Sequence, residues 1–297
     1  MNLLRFWRER GWSVISPAEY SELWCRYGGS VVTHPEVIER LAALAEIPVR
    51  YLGWKQGGNV VAGVPCWGRH LALSKEGLKK HGKKRLFDLG NAEIILPGSP
   101  DSHAILRQRA EYLGEPSAQR FNGLTQQKES LMMAREPEAL SKKFRYNQRR
   151  ELRLLEDSGG ALRPVQDHSP AELATIYADL FERRWQFAVP GGKHLADVFE
   201  RMHPFMTGHV VYLDDVPIAI QVLYRVESPE WISVEYINGG VDPASRNFSP
   251  GSVLSYVNVL AAWEDARARG KTLRYSFGRA DREYKERWCR KQPVYKV

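Results

Sequence analysis

Three groups of residues in the second half of the chain are of types that can move a proton beside a bound anion. Glu235 is the only carboxylate in the run Trp231 to Ile237, and a strand carboxylate of this kind can take a proton from an amine. Tyr284 and Lys285 follow the turn at Gly278. A phenol can protonate a leaving thiolate or ribose oxygen, and an ammonium can hold a phosphate or a carboxylate. Arg246, Ser249, Gly251 and Ser252 surround the start of an apolar stretch, where a helix N-terminus offers N–H groups and the positive end of its dipole. The candidate catalytic residues are therefore Glu235, Tyr284 and Lys285, and the candidate phosphate-binding residues are Arg246, Ser249, Gly251 and Ser252. Each has a plainer alternative: a rim carboxylate paired with arginine, a packed tyrosine bonded to backbone, an ordinary helix cap.

These residues need a scaffold, and the surrounding pattern supplies one. Residues 231–237 alternate and are rich in β-branched and aromatic types, which suits a central strand ending at Asn238-Gly239-Gly240. Ser249 reads as a helix cap with Pro250 at the first helical position. Val253 to Trp263 is apolar on nearly every face, as in a buried crossover, and Ala268-Arg269-Gly270 ends it. Leu273 to Phe277 then returns as a strand, completing a right-handed βαβ unit.

Upstream, Ser141 to Arg153 is the most basic stretch. Phe144, Gln148, Glu151 and Leu155 fall on one helical stripe, with Lys142, Arg145, Arg149 and Arg153 on another. With Lys143 and Arg150 these cations form a candidate surface for an anionic partner; a solvated helix face is the alternative. Lys79 to Arg85 is a second basic run.

The chain also repeats itself. Ser16-Pro17-Ala18-Glu19 recurs as Ser169-Pro170-Ala171-Glu172, His34 to Arg40 as His194 to Arg201, and Arg50-Tyr51-Leu52-Gly53 as Val211-Tyr212-Leu213-Asp214. Each copy continues as a hairpin, and the offset drifts as expected for an insertion near Phe187 to Gly192. The first copy lacks the glycine-opened apolar helix, so it is expected to bind an acceptor or to buttress the second. Trp7, Trp12, Trp24, Trp54 and Trp67 cluster in that half as possible walls of an apolar acceptor groove, with core packing as the alternative.

At 297 residues and 43% apolar the chain can bury a substantial core, and a domain prior of roughly 100 to 200 residues favours two units. Cys25, Cys66 and Cys289 are far apart, which points to free thiols and a reducing compartment. No cluster has metal-ligand spacing; His34, His194 and His203 read as surface or capping residues. The net charge of +8 favours an anionic partner: a lipid surface, RNA or a phosphorylated carrier. Met1 to Trp12 has no apolar run long enough for a signal peptide or a span, so a cytoplasmic location is expected. Leu3, Leu4, Phe6, Trp7 and Trp12 among arginines form a possible interfacial anchor, with packing on the chain's own domain as the alternative.

A strand ending in a turn, a helix aimed at phosphate and a following strand resemble the acyl-CoA-binding half of the GCN5-related N-acetyltransferase (GNAT) fold. Ser249-Pro250-Gly251-Ser252, Tyr275-Ser276-Phe277-Gly278-Arg279 and Glu283 to Trp288 resemble the FemAB-like aminoacyl transferases within it. Tyr27-Gly28-Gly29-Ser30 through Glu36, with the chain length, resembles the Mig antimicrobial-peptide-resistance family of Gram-negative bacteria. The resemblance implies an α/β (α+β) protein of tandem GNAT-like (acyl-CoA N-acyltransferase) domains, mixed twisted sheets flanked by helices, divided as 1–140 and 141–297. It implies acyl or aminoacyl transfer to an amine of an envelope precursor, from aminoacyl-tRNA or acyl-CoA, on the cytoplasmic face of the inner membrane, without a metal. One departure stands out: Arg246 is followed by Asn247-Phe248-Ser249-Pro250-Gly251 where the fold usually has closely spaced glycines. That departure supports the competing expectation, a non-catalytic scaffold that docks on anionic membrane or sequesters peptides.

Overall fold

The computed structural model describes residues 9–297. The anchor reading of Leu3, Leu4, Phe6 and Trp7 falls outside the described residues; Trp12 is buried and donates its indole N–H to the Ile105 carbonyl at 2.9 Å. The first unit runs β1 (Trp12–Ile15), α1 (Pro17–Tyr27), α2 (Pro35–Ala45), β2 (Arg50–Gln56) and β3 (Asn59–Trp67). After β4 (Thr125–Ala134) and α3 (Lys142–Asp157), the second unit repeats that order. It runs β5 (Gly160–Pro164), α4 (Pro170–Trp185), α5 (Leu195–Met202), β6 (His209–Leu213) and β7 (Val216–Glu227).

The local chemistry explains why both copies start alike. Ser16 caps α1 by accepting from the Glu19 N–H while Glu19 accepts from the Ser16 N–H at 2.7 Å, and Ser169 with Glu172 does the same for α4. Both hairpin turns place two successive residues in the left-handed region, Gly57 and Gly58 in one and Asp214 and Asp215 in the other. Strand neighbours also match: β1-β2-β3 in the smaller sheet, β5-β6-β7 in the larger.

The chain then adds β8 (Trp231–Val241), α6 (Pro250–Ala268), β9 (Thr272–Arg279) and β10 (Cys289–Lys296). The larger sheet is ordered β10-β4-β9-β8-β7-β6-β5, with the two-residue strand Met206–Thr207 on β7. Only β8 and β9 pair in parallel among these neighbours, joined by α6 as the crossover that the sequence predicts. The expected architecture of mixed sheets flanked by helices is what the chain adopts. One strand crosses the expected division at residue 140: β4 lies before it in sequence yet pairs with β9 and β10.

Two expectations about β8 need correction. The strand does not stop at Asn238 but continues to Val241, because the register passes from Val222↔Asn238 to Leu223↔Tyr236 and leaves Ile237 as a bulge. Gly240 is used for closeness rather than for a turn. A Cβ there would sit 2.5 Å from Leu180 Cβ and 2.7 Å from the Leu180 carbonyl carbon, so α4 packs directly on the strand's backbone.

The largest buried apolar cluster runs from Trp12 to Val226 and includes side chains of both units. Trp12, Trp24 and Trp67 belong to it and Trp54 is half-buried against it, so these four pack in the core and do not wall a groove, while Trp7 lies outside the described residues. His34 takes the N-cap position of α2, as the capping reading expects, but its half-buried side chain caps nothing. Its ring lies 4.5 Å from Trp24 and 5.2 Å from Phe205 of the second unit, and burial pulls its pKa down to about 4. Gly240→Ala is expected to cost about 1–3 kcal/mol, since the new methyl meets backbone that cannot rotate away; the drop in the urea midpoint at unchanged m checks it.

Candidate functional site

β8 and β9 run side by side from Trp231↔Thr272 to Glu235↔Ser276 and then part. β9 takes β4 as its partner, with Ser276 opposite Met133 and Arg279 opposite Leu131, while β8 stays with β7 through Val241. The result is a wedge whose two walls begin with Tyr236 and Phe277, ring centroids 5.4 Å apart and edge to face. The short turn Glu283–Arg287 carries Tyr284 to this place. Tyr284 is 43% exposed, and burial followed by the neighbouring Tyr236 pushes its hydroxyl up to about 12. At neutral pH it is a phenol with a proton to give. Burial also raises Tyr236, opposed by Arg184 and Gln221, which both face its hydroxyl. Arg184, from the last turn of α4, donates to the Gly239 carbonyl at 3.2 Å. Gln221 is itself held by Asn258 and Ser255 of α6, at 3.0 and 2.7 Å.

The other candidate residues are placed differently from expectation. Glu235 is 1% exposed and lines none of the cavities along the sheet. It points at the junction of the two units, where it accepts the Glu93 N–H at 2.9 Å. Burial, then the Glu93 carboxylate, raises its pKa well above the ordinary value, so it is a buried acid rather than a solvent-facing base. The rim pairing with arginine is not its partner set either; Arg274 instead grips Glu93 through two hydrogen bonds of 2.8 and 2.5 Å. Lys285 is 8% exposed and spends its ammonium on the Arg279 carbonyl at 2.8 Å and Asp281 at 2.9 Å, closing the turn that presents Tyr284. It has no free charge for a phosphate.

At the start of α6, Ser249 is in the left-handed region with φ 47° and its side chain caps nothing. Its carbonyl accepts the N–H groups of Ser252 and Val253, at 2.9 and 3.0 Å, and Pro250 has no N–H. The helix start is thus largely satisfied by the protein itself, although Gly251 and Ser252 remain half-buried and Arg246 is exposed. The helix α3 keeps its two faces: Gln148 and Leu155 are buried, while Lys142, Lys143, Arg149, Arg150 and Arg153 are exposed and Arg145 is half-buried. It packs on α6 and on the turn Pro243–Phe248, so the cations and Arg246 lie on one side of the sheet, with Phe144 against Trp288 at 4.8 Å. Cys289 is no nucleophile; burial pushes its thiol up to about 12.

On the opposite face, a cavity of about 270 Å³ reaches Ile237 and Asn238 of β8. Leu86 to Asp88 of the first unit and Tyr177, Phe181 and Phe199 of the second enclose it. Sequence reasoning missed Tyr236, Arg184 and this cavity. Tyr236 stood in plain view beside Glu235, on the alternate face of the same strand, and the insertion near Phe187 was the signal for the cavity.

The chain matches the Mig-14 family over residues 34–297. It belongs to that family. No curated protein matches it. Among solved structures, FemX is similar over 96% of this chain and 96% of its own, at 10% identity and a TM-score of 0.54. The C-terminal domain of a putative lysylphosphatidylglycerol synthetase from Agrobacterium fabrum is similar over 94% of this chain and 90% of its own, at 12% identity and a TM-score of 0.49. The likeness to FemX is one of fold, and this Mig-14 family member shares that fold through both of its units.

The junction gives two expectations. Arg274→Ala leaves Glu93 buried without its cation and is expected to cost about 3–5 kcal/mol in denaturant unfolding. Glu235 holds a proton in the folded state that the unfolded chain releases near 4.5, so its contribution is fully present below that pH and declines as pH rises toward the folded value. Glu235→Gln removes this dependence. Its stability relative to the parent should therefore improve between about pH 5 and about pH 7.5, read from paired urea midpoints.

Proposed function

We propose that this protein transfers an aminoacyl or acyl group to an amine of a cell-envelope precursor, and that the altered envelope resists cationic antimicrobial peptides. The observation that carries the reading is the parting of β8 and β9 with a protonated phenol at the opening. The fold shared with FemX supports it. Aminoacyl-tRNA is the preferred donor, because the exposed cations of α3 suit a polyanion. Acyl-CoA or an acyl-carrier protein comes next. Among the described residues no helix is long and apolar enough to cross a membrane, and the reading places the protein as a peripheral one on the cytoplasmic face of the inner membrane.

The chemistry needs one proton relay. The acceptor amine attacks the donor's ester carbonyl, a C–N bond forms, and the bond to the ribose oxygen breaks. Tyr284 gives its proton to that oxygen, and the phenolate recovers one from the nitrogen, which has become cationic on bonding to carbon. Arg184 and Tyr236 are the polar groups nearest the wedge to steady the oxyanion, a role in which fixed donors contribute most when water is excluded.

A second reading has its own support. Lys285 is locked in its turn and the Ser252 and Val253 amides of α6 are in use, which favours a non-catalytic scaffold docked on anionic membrane. Tyr284→Phe separates the two, since the ring stays and only the hydroxyl goes. Transfer is expected to fall by about 10²–10⁴-fold with unfolding unchanged. Mass spectrometry of lipids and peptidoglycan from cells with the parent, the variant and no gene should show the modified component in the first alone. Peptide resistance that persists in full with phenylalanine at this position would establish the scaffold.

A further inference from the structure

Two sequence features used by neither sheet meet at one place. The basic run Lys79 to Arg85 belongs to the first unit, and the Phe187 to Gly192 insertion to the second. Gly191, with φ 81°, lies on the Arg85 carbonyl so closely that a Cβ would overlap it, so only glycine lets the two segments touch. Phe187, Val189 and Pro190 thereby become a wall of the 270 Å³ cavity, whose interior is formed by Tyr177, Phe181, Phe199 and Tyr224. A second cavity of about 350 Å³ shares Phe87, Asp88 and Pro190 with the first and is bordered by Lys79, Lys84 and Arg85. Lys75 pairs with Asp88 and Lys83 with Glu46, but Lys79, Lys84 and Arg85 have no ion-pair partner among the described residues. Trp185 and Phe187, 37% and 52% exposed, protrude beside the apolar chamber.

We propose that this double cavity binds one anionic phospholipid, an acyl chain among the aromatic side chains and the phosphate against Lys79, Lys84 and Arg85. A wholly apolar ligand would leave the three cations unused, and free phosphate would leave the chamber unfilled. The protruding Trp185 and Phe187 are of the type that settles at the level of lipid headgroups, next to cations that an anionic leaflet attracts. The site therefore defines the face turned to the membrane. It stands apart from the transferase reading, since it requires no chemistry in the wedge.

The test uses the full-length protein with phosphatidylcholine vesicles, with and without phosphatidylglycerol, in co-sedimentation. Native mass spectrometry with phosphatidylglycerol in detergent reads the stoichiometry. Binding is expected only with phosphatidylglycerol, one lipid per chain, and a combined Lys79→Glu, Lys84→Glu and Arg85→Glu variant should lose about 100-fold in affinity. Val189→Trp fills the chamber from an exposed loop and should abolish the one-to-one complex. Unchanged sedimentation of the charge-reversed variant would overturn the proposal, as would retention of the complex by Val189→Trp. Displacement of the lipid by inorganic phosphate alone would overturn it too, by making the site one for a free anion.

Discussion

The pairing of β8 and β9 ends after five residues, and most of the molecule's arrangement follows from that ending. A buried strand cannot leave its ladder groups unpaired, so β9 must take another neighbour and β8 must keep the one it has. β9 finds β4, which the chain laid down before the second unit began; β8 keeps β7 through a bulge at Ile237. The space between them is left to side chains. Tyr236 and Phe277 fill its narrow end, and the turn locked by Lys285 and Asp281 brings Tyr284 to its mouth. The ammonium that sequence alone would assign to a ligand is the clasp that positions the phenol.

Two acids with opposite surroundings show how the sheet sorts its titratable groups. Glu235 and Tyr236 are adjacent and therefore face opposite sides of the strand. Glu235 enters the junction, where the Glu93 N–H and carboxylate and the Arg274 guanidinium meet it in a nearly dry space. Tyr236 enters the wedge beside Arg184 and Gln221. A one-residue slip in register would exchange these roles, carrying the carboxylate into the wedge and the phenol into the junction.

Much of the fold was legible because it rests on local, directional signals. Ser-Pro-x-Glu caps, two-residue hairpin turns and the apolar crossover are written in neighbouring residues, and the repeat made each copy a check on the other. What was not legible depends on distant partners. Gly240 reads as a stop unless Leu180 is known to lie on it, and Lys285 reads as free unless the turn from Arg279 is known to curl back. Glu235 was a fair choice by type, but a carboxylate's role depends on which face of the sheet is covered. Here a first-unit segment without regular structure, around Glu93, covers it. The two faces of the basic helix are legible without partners, since its stripes are a property of spacing alone.

The buried cluster that joins side chains of both units, from Trp12 to Val226, bears on how the chain comes into being. The half that leaves the ribosome first carries Leu86 and Phe87, which share a cavity with Tyr177, Phe181 and Phe199 of helices not yet translated. Until α4 and α5 emerge, that nascent half presents a sticky flank, a natural client for a holding chaperone. A ribosome stalled before residue 170 would therefore release an aggregation-prone fragment, not a small working domain.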